Sequence, residues 1–342
     1  MNAIPSDAIL SVDNLHVSFH TYAGEVRAVR GVDFGLRRGE TLAFVGESGC
    51  GKTVTAKALL RLLKPPFAEI KKQSRIVYSG ENVLAMGKKR LQQYRGGDVS
   101  MIFQDPMTSL NPTMTCGDQI VESLLLHKNI DKRQARGEAL ETLRLVQISD
   151  PERRFRQYPH ELSGGMRQRV VIAIALSCIP SVLIADEPTT ALDVTIQAQI
   201  IDLLRGLKEK THASIVLVTH DLGVVANFTD RVQVMYAGKI VERGSAREIF
   251  YEARHPYTWA LLKSVPSLAK HRKQELYSLK GTPPDLILPL ECCPFAARCR
   301  YCMPVCRQAM PAETFFGDSH GVSCWLTDSR APKVPSFYDE KE

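Results

Sequence analysis

The segment that most constrains this chain is Gly46-Glu47-Ser48-Gly49-Cys50-Gly51-Lys52-Thr53. It fits the pattern G-x-x-x-x-G-K-[ST] at every position. Such a loop joins a strand to a helix and turns successive backbone N–H groups toward phosphate oxygens. The glycines permit the tight turn, Lys52 reaches the β- and γ-phosphates, and Thr53 ligates Mg²⁺. The flanks agree with this reading. Thr41–Val45 is a short strand, and Val54–Leu63 has helical character until Pro65 and Pro66 stop it.

Further strands are expected at Ser11–Phe19, Ala28–Leu36, Arg75–Tyr78 and Val99–Phe103. Met114–Val146 reads as mainly helical, with the charged stretch Lys128–Arg136 inside it. Val170–Ala185 reads as a helix, a break at Pro180 and a buried strand. Val182–Ala185 and Ile215–Thr219 are continuous apolar runs, with a helix at Ile196–Lys210 between them. Runs of that kind suit parallel strands covered on both faces. Residues 1–250 therefore read as one α/β domain with a helical subdomain at about 105–180. Beyond Phe250 the texture changes. A short amphipathic helix at His255–Leu268 leads through proline-rich Thr282–Pro289 to a small cysteine-rich C-terminal domain, 251–331, and a disordered tail, 332–342.

Val182-Leu183-Ile184-Ala185-Asp186-Glu187-Pro188 is an apolar strand ending in two carboxylates. Alone it is an acidic turn. Behind a phosphate loop, Asp186 is placed to hold Mg²⁺ and Glu187 to polarise the attacking water. His220, at the end of the Ile215–Thr219 strand, reads in this company as a γ-phosphate sensor. Gln104 ends the strand Val99–Phe103.

Hydrophobic residues are 44% and charged residues 24% of the 342, a balance that supports a sizeable core. The net charge of +7 suits nucleic acid and an anionic membrane surface equally and selects neither. No stretch approaches the roughly 20 apolar residues of a membrane span, and the N-terminus has no basic, apolar, cleavable signal. The chain is expected neither to enter nor to cross a membrane by itself. Of nine cysteines, Cys50, Cys116 and Cys178 are scattered and six fall between Cys292 and Cys324. Without an export signal that clustering favours metal binding over disulfides.

Leu162-Ser163-Gly164-Gly165-Met166-Arg167-Gln168-Arg169 resembles the signature of ATP-binding cassette ATPases. Ser163, Gly164 and Gly165 open a helix and offer backbone donors to an anion. The resemblance implies a P-loop NTPase cassette with a mostly parallel sheet and an antiparallel β edge. It also implies two cassettes facing head to tail, so that the signature of one closes over ATP on the other. Ala191-Leu192-Asp193 resembles the family's D-loop at that interface. Gln104 matches the Q-loop glutamine, which contacts Mg²⁺ beside the transmembrane partner. Phe19 is the aromatic residue assigned to the adenine, with Tyr22 as the other candidate.

Gln104-Asp105-Pro106-Met107-Thr108-Ser109-Leu110-Asn111-Pro112, His255-Pro256-Tyr257-Thr258 and Gly281-Thr282-Pro283-Pro284 narrow the resemblance to dipeptide and oligopeptide importers, in particular their D-type ATPase subunits. Implied is an ATPase on the cytoplasmic face of the cell membrane, held peripherally, that powers uptake. Its implied partners are a second, related ATPase subunit, two transmembrane permeases and an extracytoplasmic peptide-binding protein, with no nucleic acid. Nickel complexes and glutathione are alternative cargoes. Cassettes that act in DNA repair or on ribosomes carry long insertions or a second cassette, which this sequence lacks, and a regulator without catalysis should have lost Glu187 or His220.

Cys293, Cys299, Cys306 and Cys324, separated by 5, 6 and 17 residues, follow the tail of that family. There four such cysteines can hold a [4Fe–4S] cluster, whose usual ligands are four thiolates. Cys292 and Cys302 depart from the pattern. Cys299-Arg300-Tyr301-Cys302 is a C-x-x-C pair that zinc could use, and free thiols are the third reading. His320, nearby, reads as an ordinary surface histidine.

Overall fold

A computed structural model describes residues 7–190, 193–264 and 279–336. They divide into two compact units, one of residues 7–36, 41–84, 219–264 and 279–336, the other of 37–40, 85–190 and 193–218.

The first unit holds two sheets. In the antiparallel one, Ala8–Thr21 lies between Gly24–Arg37 and Arg75–Tyr78, with Glu81–Asn82 beyond. Ala68–Ile70 pairs with the far end of Ala8–Thr21, so that Phe19 stands opposite Ala68. Leu10, Val12, Leu15 and Val17 turn inward from this strand. In the second sheet Thr41–Val45 runs parallel to Arg231–Tyr236, with Leu42 opposite Arg231 and Val45 opposite Val234. All five residues of Thr41–Val45 are buried, which is why Leu42–Val45 is a continuous apolar run rather than an alternating one. Lys239–Ser245 returns antiparallel. His320–Val322 and Thr314–Phe316 of the cysteine-rich tail extend the same sheet. The tail is thus woven into the unit that carries the phosphate loop.

The second unit contains three parallel strands, Val99–Ile102, Val182–Asp186 and Ser214–Val218, the last two paired from Val182 with Ser214 to Asp186 with Val218. Between the first and second of them come the helices Cys116–His127, Lys132–Leu145, Pro151–Phe155 and Gly164–Leu176. The segment expected as one helical span, Met114–Val146, is two helices. Thr115 caps the first, and Asp131 closes the second with a capping box to Gln134. Two such start signals cannot lie inside one helix. At Pro180 the expected break occurs, between Leu176 and Val182. The helix expected over His255–Leu268 is described at Pro256–Lys263 with Ser264 at its C-cap, and positions 265–268 of the expected span lie outside the described residues, as do Ala191, Leu192 and 337–342. Among the described residues no helix is long and apolar enough to cross a membrane.

Candidate functional site

In the first unit the buried strand Thr41–Val45 delivers the chain into Gly46–Thr53, and the helix Lys52–Leu59 follows. Gly46 has φ 150, and a Cβ there would stand 2.2 Å from the Met235 carbonyl oxygen, so only glycine fits. The Lys52 ammonium, 4% exposed, donates to the carbonyls of Gly46 at 2.7 Å and Glu47 at 3.0 Å. Burial pushes the Cys50 thiol up, so it stays neutral beside Lys52. Ser48 and Gly49 are exposed, and Thr53 is half-buried. The Glu47 backbone N–H donates to the Tyr257 hydroxyl at 2.7 Å. His255 accepts from Tyr257 N through Nδ1 at 3.0 Å, and complete burial pushes its pKa down to about 4. His220 is exposed, and Asp221 beside it caps the helix Leu222–Phe228. Phe19 is half-buried in its strand, whereas Tyr22 is fully exposed at the hairpin turn.

In the second unit Asp186 is 1% exposed at the end of its strand. Glu187 follows in the left-handed region at φ 48, an uncommon conformation for a side chain of that size. Two donors meet its carboxylate. Gln104 Nε2 lies 3.1 Å and Thr190 Oγ1 2.9 Å from Oε2. The sequence-predicted pair Gln104 and Glu187 is therefore brought together, and Thr190, which the sequence reading did not single out, completes the grip. Ser163 caps Gly164–Leu176, accepting from Met166 N, and both Ser163 and Gly164 are exposed. Further along that helix the buried Gln168 donates to the Pro188 carbonyl at 2.7 Å, tying the signature helix to the loop after Glu187. Asp193, the described part of the expected D-loop, caps Val194–Thr211.

The cysteine tail has its own geometry. Cys293, Cys306 and Cys324 are buried, and Cys299, Cys292 and Cys302 are half-buried. Cys293 N donates to the Cys306 carbonyl at 3.0 Å. Each of the sulfurs of Cys293, Cys299, Cys306 and Cys324 receives a backbone N–H, from Phe295 and Ala296, Tyr301, Met303 and Leu326 respectively. Burial first, and then the charges of Cys293, Cys299 and Cys306, push the Cys324 thiol up to about 12. Among the described residues no three His, Cys, Asp or Glu side chains are grouped about a single metal-ion position. His320 corrects the sequence reading. It is 1% exposed, and its Nε2 lies 2.8 Å from Oε1 of the fully buried Glu242. A partner 78 residues away leaves no local signal.

Two further residues had no role assigned from the sequence: Tyr257, quoted only as part of the His255–Thr258 motif, and Arg298. Both touch Glu47 from the C-terminal part of the chain. No pattern could have announced a contact spanning 251 residues.

Against known proteins, residues 29–190 match the ABC transporter family, and residues 241–306 match the oligopeptide/dipeptide transporter C-terminal region. The dipeptide transport ATP-binding protein DppD of Bacillus subtilis is 55% identical over 336 residues, 98% of this chain and all of that protein. The oligopeptide transport ATP-binding protein OppD of the same organism is 53% identical, with 95% of this chain and 91% of that one covered. Among solved structures, the dimeric ATP-binding cassette MJ0796, in a post-hydrolysis state with ADP and Pi, superposes with a TM-score of 0.62 at 26% identity. That match covers 70% of this chain and 99% of the other.

Proposed function

We infer the mechanism of this chain from its family: it belongs to the ATP-binding subunits of dipeptide and oligopeptide ABC transporters, and its reaction is the ATP hydrolysis that powers peptide import. The observation that carries the catalytic reading is Glu187. A carboxylate gripped by Gln104 and Thr190, in a left-handed backbone at the end of a buried strand, is held where its oxygens can orient and polarise water.

In this reading Lys52 neutralises the β- and γ-phosphate oxygens, and the N–H groups of Gly46–Thr53 cradle them. Thr53, Gln104 and Asp186 would hold Mg²⁺, which when bound would supply positive charge against the phosphate oxygens. His220 senses the γ-phosphate, and Phe19 stacks on adenine. The exposure of Ser163 and Gly164 supports their use on ATP bound by a facing, related cassette. Two permeases and an extracytoplasmic peptide-binding protein complete the importer, with this chain peripheral on the cytoplasmic face.

The tail suits a [4Fe–4S] cluster held by Cys293, Cys299, Cys306 and Cys324. All four sulfurs accept backbone N–H groups, the arrangement that tunes such clusters. When bound, the cluster supplies a covalent staple to a tail with little core. Prepared without oxygen, the chain should carry about four irons, lost on replacing any of these four cysteines by serine. Cys292→Ser and Cys302→Ser should keep them.

The transport reading is tested by reconstituting the chain with its sister ATPase and permeases in liposomes that enclose the peptide-binding protein. ATP turnover should rise on supplying di- or oligopeptides. Turnover indifferent to peptide, or raised only by a nickel complex or glutathione, would contradict the peptide assignment.

A further inference from the structure

Arg298 lies in the cysteine tail, one residue before Cys299, with its side chain 4% exposed. Its guanidinium has five N–H donors, and every one has a partner. Nε donates to the Lys280 carbonyl at 3.1 Å. Nη1 donates to Glu47 Oε2 and to the Tyr236 hydroxyl at 3.2 Å. Nη2 donates to Glu47 Oε1 at 2.9 Å and to the Leu279 carbonyl at 3.2 Å. A fork so fully engaged, and bidentate on a carboxylate, fixes its partner in direction as well as distance.

That partner is the second residue of the phosphate loop. Glu47 is held at its side chain by Arg298 and at its backbone N–H by Tyr257. Its own carbonyl accepts from Lys52 Nζ at 3.0 Å and from Cys50 N at 3.4 Å. The peptide that sets the position of the phosphate-binding lysine is thus pinned from the tail. The aromatic rings beneath are continuous with this brace. Phe295 of the tail packs on Tyr236 and Tyr257, with centroids 5.2 Å and 5.4 Å away.

We infer that Arg298 is a positioning residue for ATP: through Glu47 it holds the phosphate loop in its binding form, so that the cysteine tail sets the affinity of a loop 251 residues earlier. The inference rests on the reading that Gly46–Thr53 binds ATP. An unbraced loop must be ordered at the moment of binding, and that cost appears as lost affinity.

The experiment measures the Kd for Mg-ATP of the full chain by calorimetry, with melting temperature recorded for every variant. Arg298→Ala and Glu47→Gln should each raise Kd about tenfold, the ordinary size of a coupling between linked sites. The double variant should stand within about twofold of either single one, because both remove the same contact. Arg298→Lys, which keeps charge but not the fork, should fall between. The loss should appear in the KM for ATP more than in kcat. Should Arg298→Ala unfold the tail, Glu47→Gln tests the brace from the loop side without touching it. Lys52→Ala separates the two layers of the account. If wild type binds, Lys52→Ala does not, and Kd is unmoved in Glu47→Gln, or the two effects add fully in the double variant, the brace is overturned alone. If wild type does not bind Mg-ATP, the loop assignment and the brace fall together.

Discussion

Gly46–Thr53 and Glu187–Thr190 each follow a five-residue buried strand, but the contacts that hold them differ in kind. The first is held from behind by distant, largely buried groups: the Met235 carbonyl against Gly46, the Tyr257 hydroxyl on Glu47 N–H, and Arg298 on the Glu47 carboxylate. Its chemistry is presented by the backbone and one buried lysine. In the second, the Glu187 carboxylate is held by Thr190, three residues on, and by Gln104 from an exposed position. A phosphate cradle needs fixed dipoles and tolerates no slack. A water-activating carboxylate needs only to be steered, here by one hydrogen bond from within its own loop and one from Gln104, 83 residues away.

The first loop should therefore be far less forgiving. Gly46→Ala places a methyl 2.2 Å from a backbone oxygen at a φ of 150, and should cost about 3 kcal/mol or more of stability. ATP binding should be lost with it. Chemical denaturation and calorimetry would read both, and a tolerated alanine would break the comparison.

Acid should act on the same loop through His255. Its folded pKa, about 4, lies below the ordinary histidine value of 6.5 because burial disfavours the charged ring. Between those values the unfolded chain binds more protons than the folded one, so stability falls as pH falls. The loss is absent above about pH 6.5 and complete near pH 4, amounting to about 3 kcal/mol. Protonation also removes the Nδ1 acceptor from Tyr257 N, and Tyr257 is what holds Glu47 N–H. A denaturation series from pH 7 to 4 should lose this slope in His255→Gln, and an unchanged slope would show that another group controls it.

Thr190→Ala should have the smallest effect. One donor to a carboxylate that keeps Gln104 is worth about 1 kcal/mol, roughly fivefold in kcat, with ATP affinity kept. A loss as large as that from removing the carboxylate would mean that Glu187 is not merely steered.

The same contrast explains what the sequence could tell. Thr41–Val45 and Arg75–Tyr78 are readable to the residue because a β-rich run ends in a glycine or a turn. The phosphate loop is legible because its function is written in backbone requirements, and these admit few residue types. Glu187 is legible from the apolar strand that it ends behind a phosphate loop, and Gln104 through the family that the chain resembles, whereas Thr190 carries no pattern. The strands Arg231–Tyr236 and Lys239–Ser245 alternate less cleanly, and Glu242 sits in the second although fully buried. Its partner His320, like Arg298 opposite Glu47, is fixed by tertiary contact alone. Local propensity is silent on such pairs, so one histidine read as surface is core, and an arginine beside a cysteine braces a loop at the other end of the chain.

On the proposed assignment the labour is divided, with Lys52 binding ATP and Glu187 activating water for its hydrolysis. This assignment is tested most directly by mixing the assembled transporter with Mg-ATP and following bound nucleotide and released phosphate together, for wild type, Lys52→Ala and Glu187→Gln. Glu187→Gln should retain unhydrolysed ATP while phosphate release falls by about 10²–10⁴, and Lys52→Ala should fail to retain nucleotide at all. Wild-type phosphate release from the Glu187→Gln complex, or undiminished ATP retention by Lys52→Ala, would contradict the account.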